Sequence, residues 1–238
     1  MATEVLTQMQ ALPVRSAGRL LLIWQNPETR AFVRVAALDH LVDGRYAFRY
    51  LEAARRGDFQ PLVEFPDFDS VYVSDKLPAF FGNRVMSHRR DSYPTYRHWI
   101  GLDEPGSDTP FEVMARTGAP RATDTFHIVD DLRLGSDGSV VSRFLASGVR
   151  HVPGANERLE QLHEGQRLEL RCEPDNPVNN RAILIDMVVD EPVGYVPDWL
   201  VDDVHNLRNQ ASSLVLTAER VNMDAPPHLR LLCKIEAG

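Results

Sequence analysis

Lysine is almost missing from this sequence: of 26 basic residues, only Lys76 and Lys234 are not arginine. Cysteine is equally scarce. Cys172 and Cys233 stand far apart and form no Cys-x-x-Cys, so neither a zinc site nor a disulfide framework is expected, and a reduced, cytoplasmic setting is. No apolar run approaches the roughly 20 residues of a membrane-spanning helix, so no membrane association is expected. The opening MATEVLTQMQALPVR carries an acid and no basic stretch ahead of its apolar residues, so no signal peptide is expected. The phosphate-binding and catalytic signatures G-x-G-x-x-G, G-x-x-x-x-G-K-[ST], H-E-x-x-H and G-x-S-x-G are all absent. The eight histidines show no ligand spacing, and Asp130-Asp131 and Asp202-Asp203 lack a third ligand. The expectation is a protein with no metal, no cofactor and no catalytic constellation.

What is present is an ordinary globular composition, 43% hydrophobic and 25% charged, with a net charge of −8. The acidity is spread along the chain. Residues 1–138 hold 16 basic and 19 acidic residues, and residues 139–238 hold 10 and 15. Neither part is a phosphate-neutralising surface on average, so any nucleic-acid contact must be local. The arginine bias suits planar, bidentate contacts with phosphate or carboxylate; high-GC codon usage accounts for it as well.

Alternation and turn residues divide the chain. GRLLLIWQNPETRAFVRVAAL reads as two strands about Asn26-Pro27-Glu28, and GRYAFRYL as a strand with Tyr46, Phe48 and Tyr50 on one face. Helices are expected over 77–86, 93–102 and 110–118, the last two closed by Gly101 and Gly118. ATDTFHIVDDLRL reads as a further strand. GSDGS (135–139) is expected to be the linker. Beyond it come short strands, an amphipathic helix over 156–165 and a second in PDWLVDDVHNLR, with Trp199, Leu200, Val204 and Leu207 inward. The expected organisation is a lead-in (1–17), a domain over 18–134, the linker 135–139 and a domain over 140–238.

GVRHVPG (148–154), EGQRLELRCEPDNPVNNRAILI (164–185) and VGYVPDWLVDDV (193–204) together resemble a HIRAN domain, in the order and spacing of that family's motifs. The resemblance implies a small β-barrel related to OB- and SH3-like barrels. It also implies binding of the 3′ end of single-stranded DNA without chemistry. Carried over position by position, it points to Arg150, His151, Asn176 and Asn179. Asn176 is expected to bond a nucleotide or brace the loop. Asn179 stands where the family usually has an acid, Val152 and His151 where it has aromatics, and Val178 at another common aromatic position.

GRYAFRY (44–50), VEFPDFD (63–69), LPAFFGNRVM (77–86) and DTPFEVMARTGAPRATDTFHI (108–128) resemble the N-terminal subdomain of HipA-type proteins. That resemblance implies an α+β interaction domain. The kinase domain that follows it in the family has no counterpart here. Between these segments, NRVMSHRRDSYPTYRHW (83–99) is the one basic, aromatic-rich stretch. It reads either as phosphate contacts with base stacking, for which Arg89 and Arg90 are the candidates, or as a loop and helix whose Tyr96 and Trp99 pack inward.

The fold expected is therefore α+β: a HipA-N-like domain followed by a HIRAN-like barrel with two short helices. The function expected is non-catalytic binding of single-stranded or 3′-terminal DNA in a bacterial DNA-processing or defence setting. A protein-interaction or antitoxin-like adaptor is the alternative, and an accessory subunit of a nuclease or hydrolase the third reading.

Overall fold

The computed structural model describes the backbone of Thr7–Met9 and residues 16–107 and 109–238. The expected lead-in over 1–17 otherwise lies outside the described residues. The chain divides into two compact units, Met1–Met86 with Gly118–Asp131, and Ser87–Thr117 with Leu132–Gly238. The architecture is mostly β with few helices. No helix among the described residues is long and apolar enough to cross a membrane.

The first unit is a six-stranded antiparallel sheet in the order β1-β5-β4-β3-β2-β6. Its strands are β1 (Thr7–Met9), β2 (Ser16–Gln25), β3 (Phe32–Leu41), β4 (Tyr46–Tyr50), β5 (Val71–Ser74) and β6 (Phe126–Asp130). The β2–β3 turn is where Asn26 predicts it: its Oδ1 accepts from the backbone N–H groups of Glu28 (2.8 Å) and Thr29 (3.0 Å), an Asx turn. The aromatic face of β4 organises the core. Phe48 is fully buried, stacks on Phe65 at 3.9 Å and meets Tyr50 edge-on. Tyr50 satisfies its hydroxyl by donating to the Phe65 carbonyl (2.8 Å) and accepting from the Leu62 N–H (2.7 Å).

The helix expected over 77–86 is a single turn, α1 (Ala79–Gly82). The Glu64 carboxylate accepts from the N–H groups of Ala79 and Phe80, and Gly82-Asn83 ends the turn. Arg84 then folds inward. Its side chain is 1% exposed, pairs with Asp124 and lies 4.4 Å over the Phe80 ring. Arg84, one of the basic residues of the 83–99 stretch, is thus buried and neutralised.

The second unit holds α2 (Tyr93–Trp99), α3 (Pro110–Thr117), β7 (Val140–Leu145), α4 (Ala155–Leu159), β8 (Arg167–Cys172) and β9 (Ile183–Asp186). It continues with β10 (Pro192–Tyr195), α5 (Asp198–Gln210), β11 (Leu214–Val221) and β12 (Leu231–Ala237). Its antiparallel sheet runs β10-β9-β8-β11-β12-β7 and curls until the two edges meet. There Ser147, just past β7, and Tyr195 exchange both backbone bonds at 2.8 Å. The core holds Ile183, Leu184 and Ile185 of β9 and Leu200, Val204 and Leu207 of α5, as expected, whereas Trp199, also expected inward, is only half-buried. α4 is shorter than the expected 156–165 helix, and the turn after it still buries Leu162.

The segment Ser87–Thr117, expected within the 18–134 domain, clusters instead with the second unit. The reason is polar. Arg116, 9% exposed, donates to the carbonyls of Ile100 (2.9 Å) and Gly101 (2.8 Å). Its guanidinium also lies 3.8 Å from Glu219 of β11, which Arg143 of β7 holds at 2.7 Å. Asn222, nearly buried, donates to the Trp99 carbonyl at 2.9 Å. Gly101, at φ +68°, is a C-terminal helix glycine as its position suggested. A Cβ there would come within 2.9 Å of Leu232 of β12, so the residue serves both the turn and the close approach.

Candidate nucleic-acid interface

The loop Glu173–Ala182 between β8 and β9 is closed by a backbone bond from Glu173 N–H to the Ala182 carbonyl (2.9 Å). Inside it, Asn176 Oδ1 accepts from the N–H groups of Val178 (2.9 Å) and Asn179 (3.1 Å), and its Nδ2 donates to Glu173 (2.5 Å). Asn179 repeats the pattern one step on. Its Oδ1 accepts from the Arg181 N–H (2.9 Å), and its Nδ2 donates to Asp198 Oδ1 (3.1 Å). Both asparagines are thus braces. Each uses its amide to replace backbone pairing that a turn so rich in proline cannot make. An Asn176→Ala variant is expected to lose about 1–2 kcal/mol, because two N–H groups lose their acceptor. Urea unfolding beside Val178→Ala, whose side chain is 86% exposed and is expected to be near neutral, checks this.

The loop is held from below by α5. Arg181 pairs with Asp202 at 3.0 Å, and His205 Nε2 lies 3.0 Å from the Arg181 carbonyl. On the preceding strand, Arg171 makes a two-bond pair (2.6 and 3.0 Å) with Asp186, which is 1% exposed. Arg171 is therefore committed to the barrel, not to a ligand.

The glycine-led segment lies across Tyr195 from this loop. Gly148, at φ +66°, presses its backbone on the Tyr195 ring: a Cβ would sit 2.9 Å from Cδ2. The pKa of Tyr195 is raised, first by burial and then by the Glu173 carboxylate. After Gly148, the turn Val149–His151 points Arg150 and His151 into solvent, with Arg150 Nε 2.9 Å from His151 Nε2. That contact requires Nε2 to be the unprotonated, accepting nitrogen. Val152 is 7% exposed and belongs to the core, so the aromatic expected there is not a missing stacking face.

The structure therefore places the segment that carries Arg150 and His151 and the loop that carries Asn176 and Asn179 next to β10, at the Tyr195 end of the barrel. Arg89 and Arg90 are exposed in the turn before α2, and among the described residues their side chains form no hydrogen bond or ion pair with that end. In the same segment Tyr93 is buried, and Trp99 is half-buried with its indole N–H near the Asp224 carboxylate (3.3 Å). Arg97 donates to the Asp103 carbonyl (3.2 Å), so packing accounts for most of this stretch.

Sequence reasoning singled out none of three neighbours of this loop: Glu173, Tyr195 and Asp198. Their signal was positional only, in E-P-D-N and V-G-Y-V-P-D, and no spacing rule joins two segments that meet through a barrel closure. Among the described residues no group of three or more His, Cys, Asp or Glu side chains could hold a metal ion.

A curled antiparallel module whose edges close beside a polar, proline-rich loop is the class of structure defined here. Residues 140–237 match the family model of the HIRAN domain, and the chain carries a HIRAN domain over that stretch. The match does not reach residues 18–134, and the resemblance to HipA-type proteins expected there has no support in the comparisons. No curated protein matches the chain. Among solved structures, a crystal structure of a protein from Lactobacillus plantarum, a Northeast Structural Genomics Consortium target, is similar at 17% identity. It covers 42% of this chain and 97% of its own, with a TM-score of 0.34.

Proposed function

We propose that the HIRAN-bearing unit binds nucleic acid without catalysis, as a single strand or a DNA end, at the end of the barrel around Tyr195. The observation that supports this most is the packing of the Gly148 segment on Tyr195, whose strand pairs with β9 directly after the Asn176 loop. Arg150 is the exposed cation there and supplies a phosphate contact, and His151 a stacking face. Arg89 and Arg90 add phosphate contacts only if a strand is long enough to reach them. A cytoplasmic DNA-processing or defence role in a bacterium, and an interaction role for the HipA-like unit, belong to the same reading.

The test is fluorescence anisotropy with labelled single strands at two salt concentrations. With one to three phosphates neutralised, log affinity is expected to fall with log salt at a slope of about −0.7 to −2. Arg150→Ala is expected to weaken binding about tenfold at low salt, the scale of one charge contact. Absence of binding at low salt sinks the reading. The adaptor reading is favoured by the acids beside the same loop, Glu173, Asp198 and Asp202. It predicts a stoichiometric protein partner and no salt-dependent DNA binding.

A further inference from the structure

The turn before α2 holds two charges that folding does not explain. Arg89 and Arg90 are adjacent and exposed, and among the described residues neither guanidinium has a hydrogen bond or an ion pair. Every other arginine of the second unit except Arg167 has an interaction partner, from Arg97 on the Asp103 carbonyl to Arg230 on Asn156. The net charge is −8, so carboxylates are in surplus. Even Asp91, exposed and next in sequence, pairs with neither. Two like charges side by side repel. A local conflict of this kind marks a surface kept for a partner. The turn that carries the pair is braced. Ser87 Oγ accepts from the Arg89 N–H (3.3 Å), the Ser87 carbonyl from the Arg90 N–H (3.1 Å), and the Arg90 carbonyl from the Tyr93 N–H (2.9 Å). His88 stacks on the buried Tyr93 at 4.3 Å.

α2 ties this turn to the barrel. The Trp99 carbonyl accepts from Asn222, and its indole N–H lies 3.3 Å from Asp224. The chain then enters the turn Pro227–Leu229, which touches the turn Val149–His151 that carries Arg150. The arginine pair is set off from Trp99 by the length of α2, about 10 Å, or about three phosphate spacings along one strand of a duplex. Its surroundings offer little to stack on. Tyr93 is buried, Tyr96 and Trp99 are half-buried, and His88 spends a ring face on Tyr93. Single-strand sites combine cations with aromatic faces. A duplex keeps its bases stacked inside and offers its phosphates to arginine. We propose that the turn Ser87–Tyr93 is a second contact, which takes the phosphate backbone of a duplex flanking the single strand held at the Tyr195 end. The inference rests on the nucleic-acid reading above. It places part of the binding surface outside residues 140–237.

The experiment compares three labelled DNAs by fluorescence anisotropy at two salt concentrations. The first is a strand of about six nucleotides, within the site size of one barrel. The second is that strand lengthened by about ten nucleotides, one duplex turn. The third has the added part paired as duplex. Wild type is expected to bind the third about tenfold or more tighter than the first, with a salt slope steeper by about 1–2. The second is expected to stay within about threefold of the first. The double variant Arg89→Ala, Arg90→Ala is expected to lose the gain and the extra slope while keeping its affinity for the short strand. Arg167→Ala removes an exposed, equally unpaired charge from β8 and is expected to keep the gain. Because the gain is a ratio within each variant, a reduced folded fraction cancels. No gain from the duplex, a gain retained in the double variant, or an equal loss in Arg167→Ala overturns the proposal and leaves single-strand binding standing. An equal gain from the unpaired extension overturns the assignment to duplex. Binding of a polyglutamate peptide that the double variant loses, with no gain from duplex, gives the arginines to an acidic protein instead. Failure of wild type to bind any of the three DNAs removes the reading beneath the proposal.

Discussion

Replacing Arg116 with alanine is expected to cost about 3–5 kcal/mol of stability, the scale of breaking a buried, multiply bonded charge. The loss has three parts. The carbonyls of Ile100 and Gly101 lose their donor, Glu219 loses one of two cations, and a long side chain leaves the space between α3 and β11. Burial, and then the charge of Arg143, pull the Arg116 pKa down. Lysine is not expected to rescue the variant, because one ammonium cannot reach two carbonyls and a carboxylate in that fork geometry. Urea unfolding followed by a probe in the second unit measures it. A loss below about 1 kcal/mol would mean that the segment Ser87–Thr117 is held by its apolar contacts alone. The same argument predicts that a fragment cut at residue 140 leaves Glu219, Asn222 and Leu232 without the partners that Arg116, Trp99 and Gly101 supply.

The second large effect is on pH dependence. His127 of β6 lies in the first unit, with its pKa pulled down to about 4, chiefly by burial and secondarily by the charge of Arg84, while Asp124 acts the other way. A base whose pKa is lower folded than unfolded favours the folded state while it is neutral. Its contribution is therefore complete above about pH 6.5 and is lost as pH falls towards 4, by up to about 3 kcal/mol. Wild type is expected to lose stability across that window by this margin more than His127→Gln, which cannot titrate. Chemical unfolding at a series of pH values checks it. Parallel pH profiles would show that water reaches the imidazole in the folded state.

Much of the fold was legible in the sequence for local reasons. The Asn26 turn, the aromatic face of β4, the glycine ends of α2 and α3 and the apolar run Ala182–Ile185 all depend on a few neighbouring residues. The HIRAN motifs were readable for the same reason, since each is a short segment with fixed spacing. The failures were of two kinds. Helix signals in 77–86 and 156–165 were overestimated, because their apolar positions are buried from single turns. The basic balance of 83–99 was overcounted, because a sequence does not display the carboxylate 40 residues away that neutralises Arg84.

The site divides along the same line. Its scaffold is local: Asn176 and Asn179 fold their own loop through bonds to residues two and three positions on, and Gly148 supplies the backbone conformation before Arg150. Those features the sequence determined alone. Tertiary structure decided which side chains complete it. Tyr195 enters because the barrel closes at Ser147, Asp198 because α5 starts beneath the loop, and Val152 leaves because it faces the core. It also decided that Ser87–Thr117 belongs with the barrel, through Arg116 and Asn222. The physical reason is the same in each case. Turn geometry and alternation are set by adjacent residues, whereas the partner of a buried charge or of a loop amide is set by how distant segments pack.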